Sequence, residues 1–161
     1  MTDFQKLLET LAGVEFILIG GVAATAHGSV RLTVDLDIVY RRTRANVRSL
    51  VLALAGARPY LRGAVPGLPF RWEEETLWRG LNFTLTSDLG AIDLLGEITG
   101  GGSYEDLLPH CVQMEPFGVS CLCLNLEKLI QVKRAAGRPK DLDAIAELEA
   151  ILEEPKPEDG P

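Results

Sequence analysis

Cysteine is scarce in this chain, with only Cys111, Cys121 and Cys123 among 161 residues. An odd number without any CxxC pair excludes a disulfide framework, and the spacing of Cys111, Cys121 and Cys123, even with His110 nearby, is not that of a zinc motif. The three are read as buried reduced thiols, with Cys121 and Cys123 on one strand face. Long apolar runs are also missing. Hydrophobic residues make up 47% of the chain, yet no run approaches the roughly 18 residues of a membrane span. Residues 1–10 lack the basic start and apolar stretch of a secretory signal, so a soluble, cytoplasmic protein is expected. Nor is there an excess of positive charge: the net charge of -7 weighs against a duplex-DNA binder that relies on neutralising phosphates.

The sign of the charge changes along the chain. Up to Gly80 there are ten basic and eight acidic residues, and from Leu81 onward six basic and fifteen acidic. Arg31, Arg41, Arg42, Arg44, Arg48, Arg58, Arg62 and Arg71 crowd a stretch whose only acids are Asp35 and Asp37. Either an anion visits this stretch or the arginines belong to solvated helix faces. The length suits one domain with a core of its own, expected over residues 1–153, with a polar, proline-containing and disordered tail at 154–161.

Periodicity gives a mixed order of helices and strands. Phe4, Leu7, Leu8 and Leu11 predict a short amphipathic helix over 3–12. The β-branched and aromatic run 14–19 predicts a strand that stops at Gly20-Gly21, followed by an alanine-rich helix over 22–27 that ends at Gly28. Residues 31–40 alternate, with Val34, Leu36, Ile38 and Tyr40 on one face and Thr33, Asp35, Asp37 and Val39 on the other. A helix over 43–55 follows, then a Pro- and Gly-rich loop over 58–70 and a short helix over 71–78; so long an irregular segment is often functional. Two hairpins are expected, 81–86 with 91–95 and 111–115 with 119–124, separated by a glycine turn at 100–102 and a short helix at 104–108. Helices over 126–136 and 139–152 close the pattern, the second entered through Pro139.

Carboxylates in the middle of a hydrophobic strand are costly to bury unless they are paired or bind a metal. Asp35 and Asp37 are two apart on one strand, so their side chains point the same way and can converge on divalent ions. Asp93, among Ile92, Leu94 and Leu95, repeats the feature in a strand that could lie beside the first. Three aspartates on one sheet face make a hard oxygen site suited to Mg2+ or Mn2+; the alternative is that they are salt-bridged to nearby arginines. Gly20 and Gly21 stand where a strand hands over to a helix, where missing side chains let a phosphate approach backbone N–H groups. The turn matches neither a P-loop nor GxGxxG. Its weight comes from the combination of a phosphate cradle, an acidic pair on the next strand and a later third acid, the parts that phosphoryl and nucleotidyl transfer require.

The stretch IGGVAATAHGSVRLTVDLDIVY, followed by AIDLL, resembles the catalytic signature of the nucleotidyltransferase superfamily with the DNA polymerase beta-like fold. The GG, HG, R-x-T and D-x-D arrangement is most similar to AbiEii-type toxins and related small bacterial nucleotidyltransferase proteins, as is the close of the chain, LEKLIQVKRAAGRPKDLDAIAEL. The resemblance implies an α/β (α+β) nucleotidyltransferase fold, a mixed sheet flanked by helices with C-terminal helices after it. It implies further that Gly20 and Gly21 hold the triphosphate, that Asp35 and Asp37 bind both metals, and that Asp93 completes the metal site and acts as base. Arg31 would neutralise phosphate, and Lys133 and Asp141, with Arg138 and Lys140 behind them, would assist nucleotide binding or catalysis; the plain alternative for these is helix-surface charge. Two departures stand out: Gly21 occupies a position where many relatives have serine, and Ala144 one where an aspartate often follows Asp141. Thr33 and His27 are read as structural, His27 at a helix end. The larger toxins add a domain absent here, so the acceptor would be recognised by the arginine-rich loop, a second copy or a partner chain.

The function expected from these residues is metal-dependent transfer of a nucleoside monophosphate from an NTP to a hydroxyl of RNA, protein or a small molecule, as in a toxin-antitoxin component. Aminoglycoside and lincosamide nucleotidyltransferases open with a similar pattern, so an antibiotic acceptor stays open. So does a nucleotide-binding or regulatory module that keeps the fold without turnover, although such a module has no need of three strand carboxylates. A homodimer or a partner protein is expected, and no membrane.

Overall fold

The computed structural model describes residues 1–155. Helix α1 (Phe4–Thr10) starts where the Asp3 side chain accepts from the Lys6 N–H, and buries Leu7 and Leu8. Strand β1 (Phe16–Ile19) is buried at every position, as befits a central strand covered on both faces. It runs directly into α2 (Gly20–Ala26). Strand β2 (Asp35–Tyr40) returns antiparallel to β1 and leads into α3 (Arg44–Ala55), which Thr43 caps by accepting from the Asn46 N–H. The buried Asn46 ties α3 to the start of the sheet: its carboxamide accepts from the Glu15 N–H and donates to the Glu15 and Arg41 carbonyls.

A two-residue strand β3 (Tyr60–Leu61) and helix α4 (Glu74–Arg79) precede the hairpin of β4 (Phe83–Ser87) and β5 (Gly90–Leu95). A small hairpin of β6 (Glu97–Ile98) and β7 (Gly102–Ser103) leads into α5 (Tyr104–Leu107). The hairpin of β8 (Cys111–Met114) and β9 (Cys121–Leu124) and helices α6 (Leu126–Ala136) and α7 (Leu142–Glu153) complete the order. The main sheet has seven strands in the order β3-β4-β5-β2-β1-β9-β8. It is mixed: β1 pairs parallel with β9 and β2 parallel with β5, while the other neighbours are antiparallel. The chain is therefore a mixed α/β structure with a mixed sheet flanked by helices. No helix among the described residues is long and apolar enough to cross a membrane.

Several sequence expectations change. The strand expected from residue 31 begins only at Asp35, because its partners end there: β1 pairs no further than Ile19 opposite Asp37, and β5 no further than Ala91 opposite Asp35. Residues 30–34 become a rim segment on which Val30, Leu32 and Val34 are exposed. The segment is tied down by the Ser29 hydroxyl and the Val30 N–H, which both donate to the Glu147 carboxylate of α7. The loop at 58–70 contains β3, an edge strand led in by Pro59. Pro139 opens a 3-10 turn rather than the first turn of the last helix. Of the tail expected at 154–161, Glu154 caps α7, and residues 156–161 lie outside the described residues.

Candidate metal and nucleotide site

Strands β2 and β5 lie side by side and parallel, with Asp37 directly opposite Asp93 and Asp35 opposite Ala91. Neighbouring strands are about 4.8 Å apart, and side chains two apart share a face. One carboxylate oxygen from each of Asp35, Asp37 and Asp93 can therefore be chosen so that all three lie within 4.8 Å of one another. The three are half-buried. The other face of β2 carries Leu36, Ile38 and Tyr40, fully buried in the core, which fixes the register that turns the acids outward.

Gly20 presses against this cluster. It has φ +69°, and a Cβ placed there would stand 2.1 Å from Asp37 Oδ2. Gly21 faces Thr33, whose hydroxyl would be 2.5 Å from a Cβ at that position. Thr33 thus fills the space beside Gly21, and its hydroxyl donates to the Asp35 carbonyl. The first turn of α2 receives no side-chain hydrogen bond from its cap residue, Ile19.

The acids open on a cleft of about 640 Å³ between the sheet and helices α6 and α7, within the range of small-ligand sites. Gly20, Gly21, Arg31, Lys133, Arg138, Lys140 and Asp141 all line it, so the sequence-predicted site residues are brought to one cavity. They are not equally free. Asp141 is buried and accepts from Arg138 Nε at 2.7 Å, so these two hold the start of α7 together. Lys133 acts on Asp37 across the cleft as an opposing charge.

The expected crowd of arginines is largely spent on the protein itself. Arg41 pairs with Glu15 and Glu105, Arg48 with Glu74 and Arg58 with Asp88. Arg42 donates to the Tyr40 hydroxyl and to the Leu77 and Gly80 carbonyls. Four of the eight arginines are thus engaged by carboxylates and carbonyls of the protein itself. The salt-bridge alternative for the aspartates is met in part by a residue the sequence did not single out: Arg62 donates to Asp93 Oδ1 at 2.7 Å and stands 3.6 Å from Asp35 Oδ2. Asp37 has no such partner among the described residues.

The consequence is electrostatic. Burial, then the hydrogen bond to Asp93, then the charges of Asp93 and Asp35 push the Asp37 carboxyl up to about 8, against the pull of Lys133. An acid that retains its proton near neutral pH marks a place where negative charge lacks a counterion. The all-oxygen donor set suits Mg2+ or Mn2+, so Asp35, Asp37 and Asp93 together could hold a divalent ion. Because Asp37 binds its proton more tightly folded than unfolded, its contribution to stability is fully present below the ordinary carboxylate pKa near 3.8 and is lost as pH rises through about 8. The metal-free protein should therefore lose on the order of 2 kcal/mol between pH 6 and 8.5. Thermal melts across that range test this, and Asp37→Asn should flatten the slope.

The reading of buried thiols holds for Cys121 and Cys123 but not for Cys111, which is half-buried. Cys121 and Cys123 are buried on one face of β9, and burial pushes their thiols up to about 11 and about 12 and that of Cys111 to about 11. Such protonated thiols are poor metal ligands. His27 ends α2 as expected, its Nε2 2.7 Å from the Leu124 carbonyl oxygen. No protein-family model matches the chain, and no curated protein is significantly similar to it.

Proposed function

We propose that this chain is a metal-dependent nucleotidyltransferase with the DNA polymerase beta-like fold, moving a nucleoside monophosphate from an NTP to a hydroxyl acceptor. The observation that carries the reading is the convergence of Asp35, Asp37 and Asp93 from two neighbouring parallel strands onto one point beside the Gly20-Gly21 turn. A divalent cation held by these three would screen the triphosphate and lower the pKa of the attacking hydroxyl. The protein's own groups do the rest. Gly20 and Gly21 let the triphosphate reach the uncapped N–H groups of α2, and Lys133 and Arg31 face the same cleft and offset phosphate charge. Asp93 accepts the proton of the acceptor hydroxyl as its oxygen bonds to the α-phosphorus and the bond to pyrophosphate breaks. A role for Asp141 is indirect, since its carboxylate is taken up by Arg138. A second copy or a partner chain, as in a toxin-antitoxin pair, would complete acceptor recognition beside the exposed Val30, Leu32 and Val34.

The test is incubation of the purified protein with each α-labelled NTP, Mg2+ or Mn2+, and in turn RNA, cell-extract protein and an aminoglycoside. Label should pass to one acceptor class only when metal is present. The absence of any transfer, together with no melting-temperature shift from NTP plus Mg2+, would leave the regulatory-module reading in its place.

A further inference from the structure

Arg62 follows β3 at the sheet edge and is anchored to β4 by its own backbone and by its guanidinium. Its N–H donates to the Thr84 carbonyl at 3.0 Å, and Nε and Nη2 both donate to the Leu85 carbonyl, at 3.1 and 2.7 Å. These bonds do not involve the aspartates. Nη2 donates to Asp93 Oδ1 as well, at 2.7 Å, and Nη1 stands 3.6 Å from Asp35 Oδ2, a planar geometry that a guanidinium holds and an ammonium does not. Asp37 lies against Gly20.

Once all three are ionised, as ligands to a metal must be, the carboxylates beside one fixed guanidinium carry a net charge of two negatives, which a single divalent ion neutralises. A further ion between Asp35 and Asp93 would meet the guanidinium at close range, where like charges repel strongly in a partly buried setting. Resting on the metal reading above, we infer that Arg62 is a resident cation of the site: it offsets part of the charge of Asp35 and Asp93, limits the protein's own divalent ions to one among the three carboxylates, and lowers the affinity for that ion. Arg62 is thus a positioning residue that sets how many cations the chain itself supplies and how tightly.

The experiment is Mn2+ binding to the full chain without nucleotide, followed by calorimetry and by the electron paramagnetic resonance signal of free Mn2+, for wild type, Arg62→Met and Arg62→Lys. Wild type should bind one Mn2+ at a site lost in Asp37→Asn. Arg62→Met keeps the apolar stem and removes the charge, and should bind Mn2+ about tenfold more tightly or better. Arg62→Lys keeps the charge but not the fork that anchors it to Leu85, and should gain clearly less affinity than Arg62→Met. An unchanged or weaker affinity in Arg62→Met, an equal gain in Arg62→Lys, or two Mn2+ at the triad of wild type would each overturn the inference while leaving the metal site standing. If Arg62→Met does not fold, the wild-type count and Arg62→Lys still decide. No Mn2+ bound to any of the three would remove the metal reading itself, and this inference with it.

Discussion

Asp37→Asn is expected to lower nucleotidyl transfer by about a thousandfold or more while raising the melting temperature of the metal-free protein at pH 8. The two effects have one origin. Asparagine matches aspartate in shape, so the packing of β2 against β1 and β5 is kept, but it carries no charge to bind a cation. The charge it removes is the one that burial and the neighbouring Asp93 and Asp35 make unfavourable. A site arranged for function is held at a cost in stability, and removing the group refunds it. Asp35→Asn should lose activity as well and gain less stability, because Arg62 already offsets part of its charge. Transfer assays beside thermal melts read both quantities. Normal turnover by Asp37→Asn would end the catalytic assignment. A large fall in melting temperature would mean instead that the aspartate belongs to the structure, as a salt-bridged residue does.

The acids and the glycine pair were legible in the sequence because each breaks a local rule. Leu36, Ile38 and Tyr40 demand a buried face, and Asp35 and Asp37 then stand on the other face of the same strand, Asp37 within it and Asp35, contrary to its expected place in mid-strand, as its first residue. Asp93 among Ile92, Leu94 and Leu95 repeats the breach. Convergence of the two strands required only that β2 and β5 be neighbours, which the structure provides. Strand ends were less legible: whether residues 31–34 pair depends on how far β1 and β5 reach, and nothing in the alternation of that segment records it.

Arg62 could not be found this way. It follows a two-residue strand in a Pro- and Gly-rich stretch, and it reaches Asp93 and Asp35 because that strand joins the same sheet, beside β4 in the order β3-β4-β5-β2. In sequence it was one of eight arginines, most of which the fold commits to carboxylates or carbonyls of its own. Glu147 was hidden for the same reason. On a helix pattern it is a surface charge, yet it anchors the rim of the cleft through Ser29 and Val30. Contacts between residues far apart in the chain make these roles, and spacing carries no trace of them.

Gly20→Ala tests the close approach on which the site depends. The residue has φ +69°, a conformation that costs a non-glycine residue roughly 1 kcal/mol or more. Its new methyl would fall 2.1 Å from Asp37 Oδ2 and 2.9 Å from the Asp37 Cβ and Cγ, so the aspartate or the strand-to-helix turn must shift. Forcing extra volume into a packed place adds about 1–3 kcal/mol, and together these predict a fall in melting temperature of roughly 5–15 °C. Mn2+ binding should go with it, since Asp37 is the group displaced. Gly21→Ala is the comparison. Its backbone is not left-handed and its methyl meets the Thr33 side chain rather than Asp37, so it should cost less stability and leave Mn2+ binding closer to wild type. The clash and the backbone strain separate in a double-mutant cycle with Asp37→Ala, which removes the carboxylate that the methyl meets. If the steric account is right, Gly20→Ala costs clearly less on the Asp37→Ala background than on wild type. An equal cost on both backgrounds would assign the whole effect to the backbone conformation of Gly20.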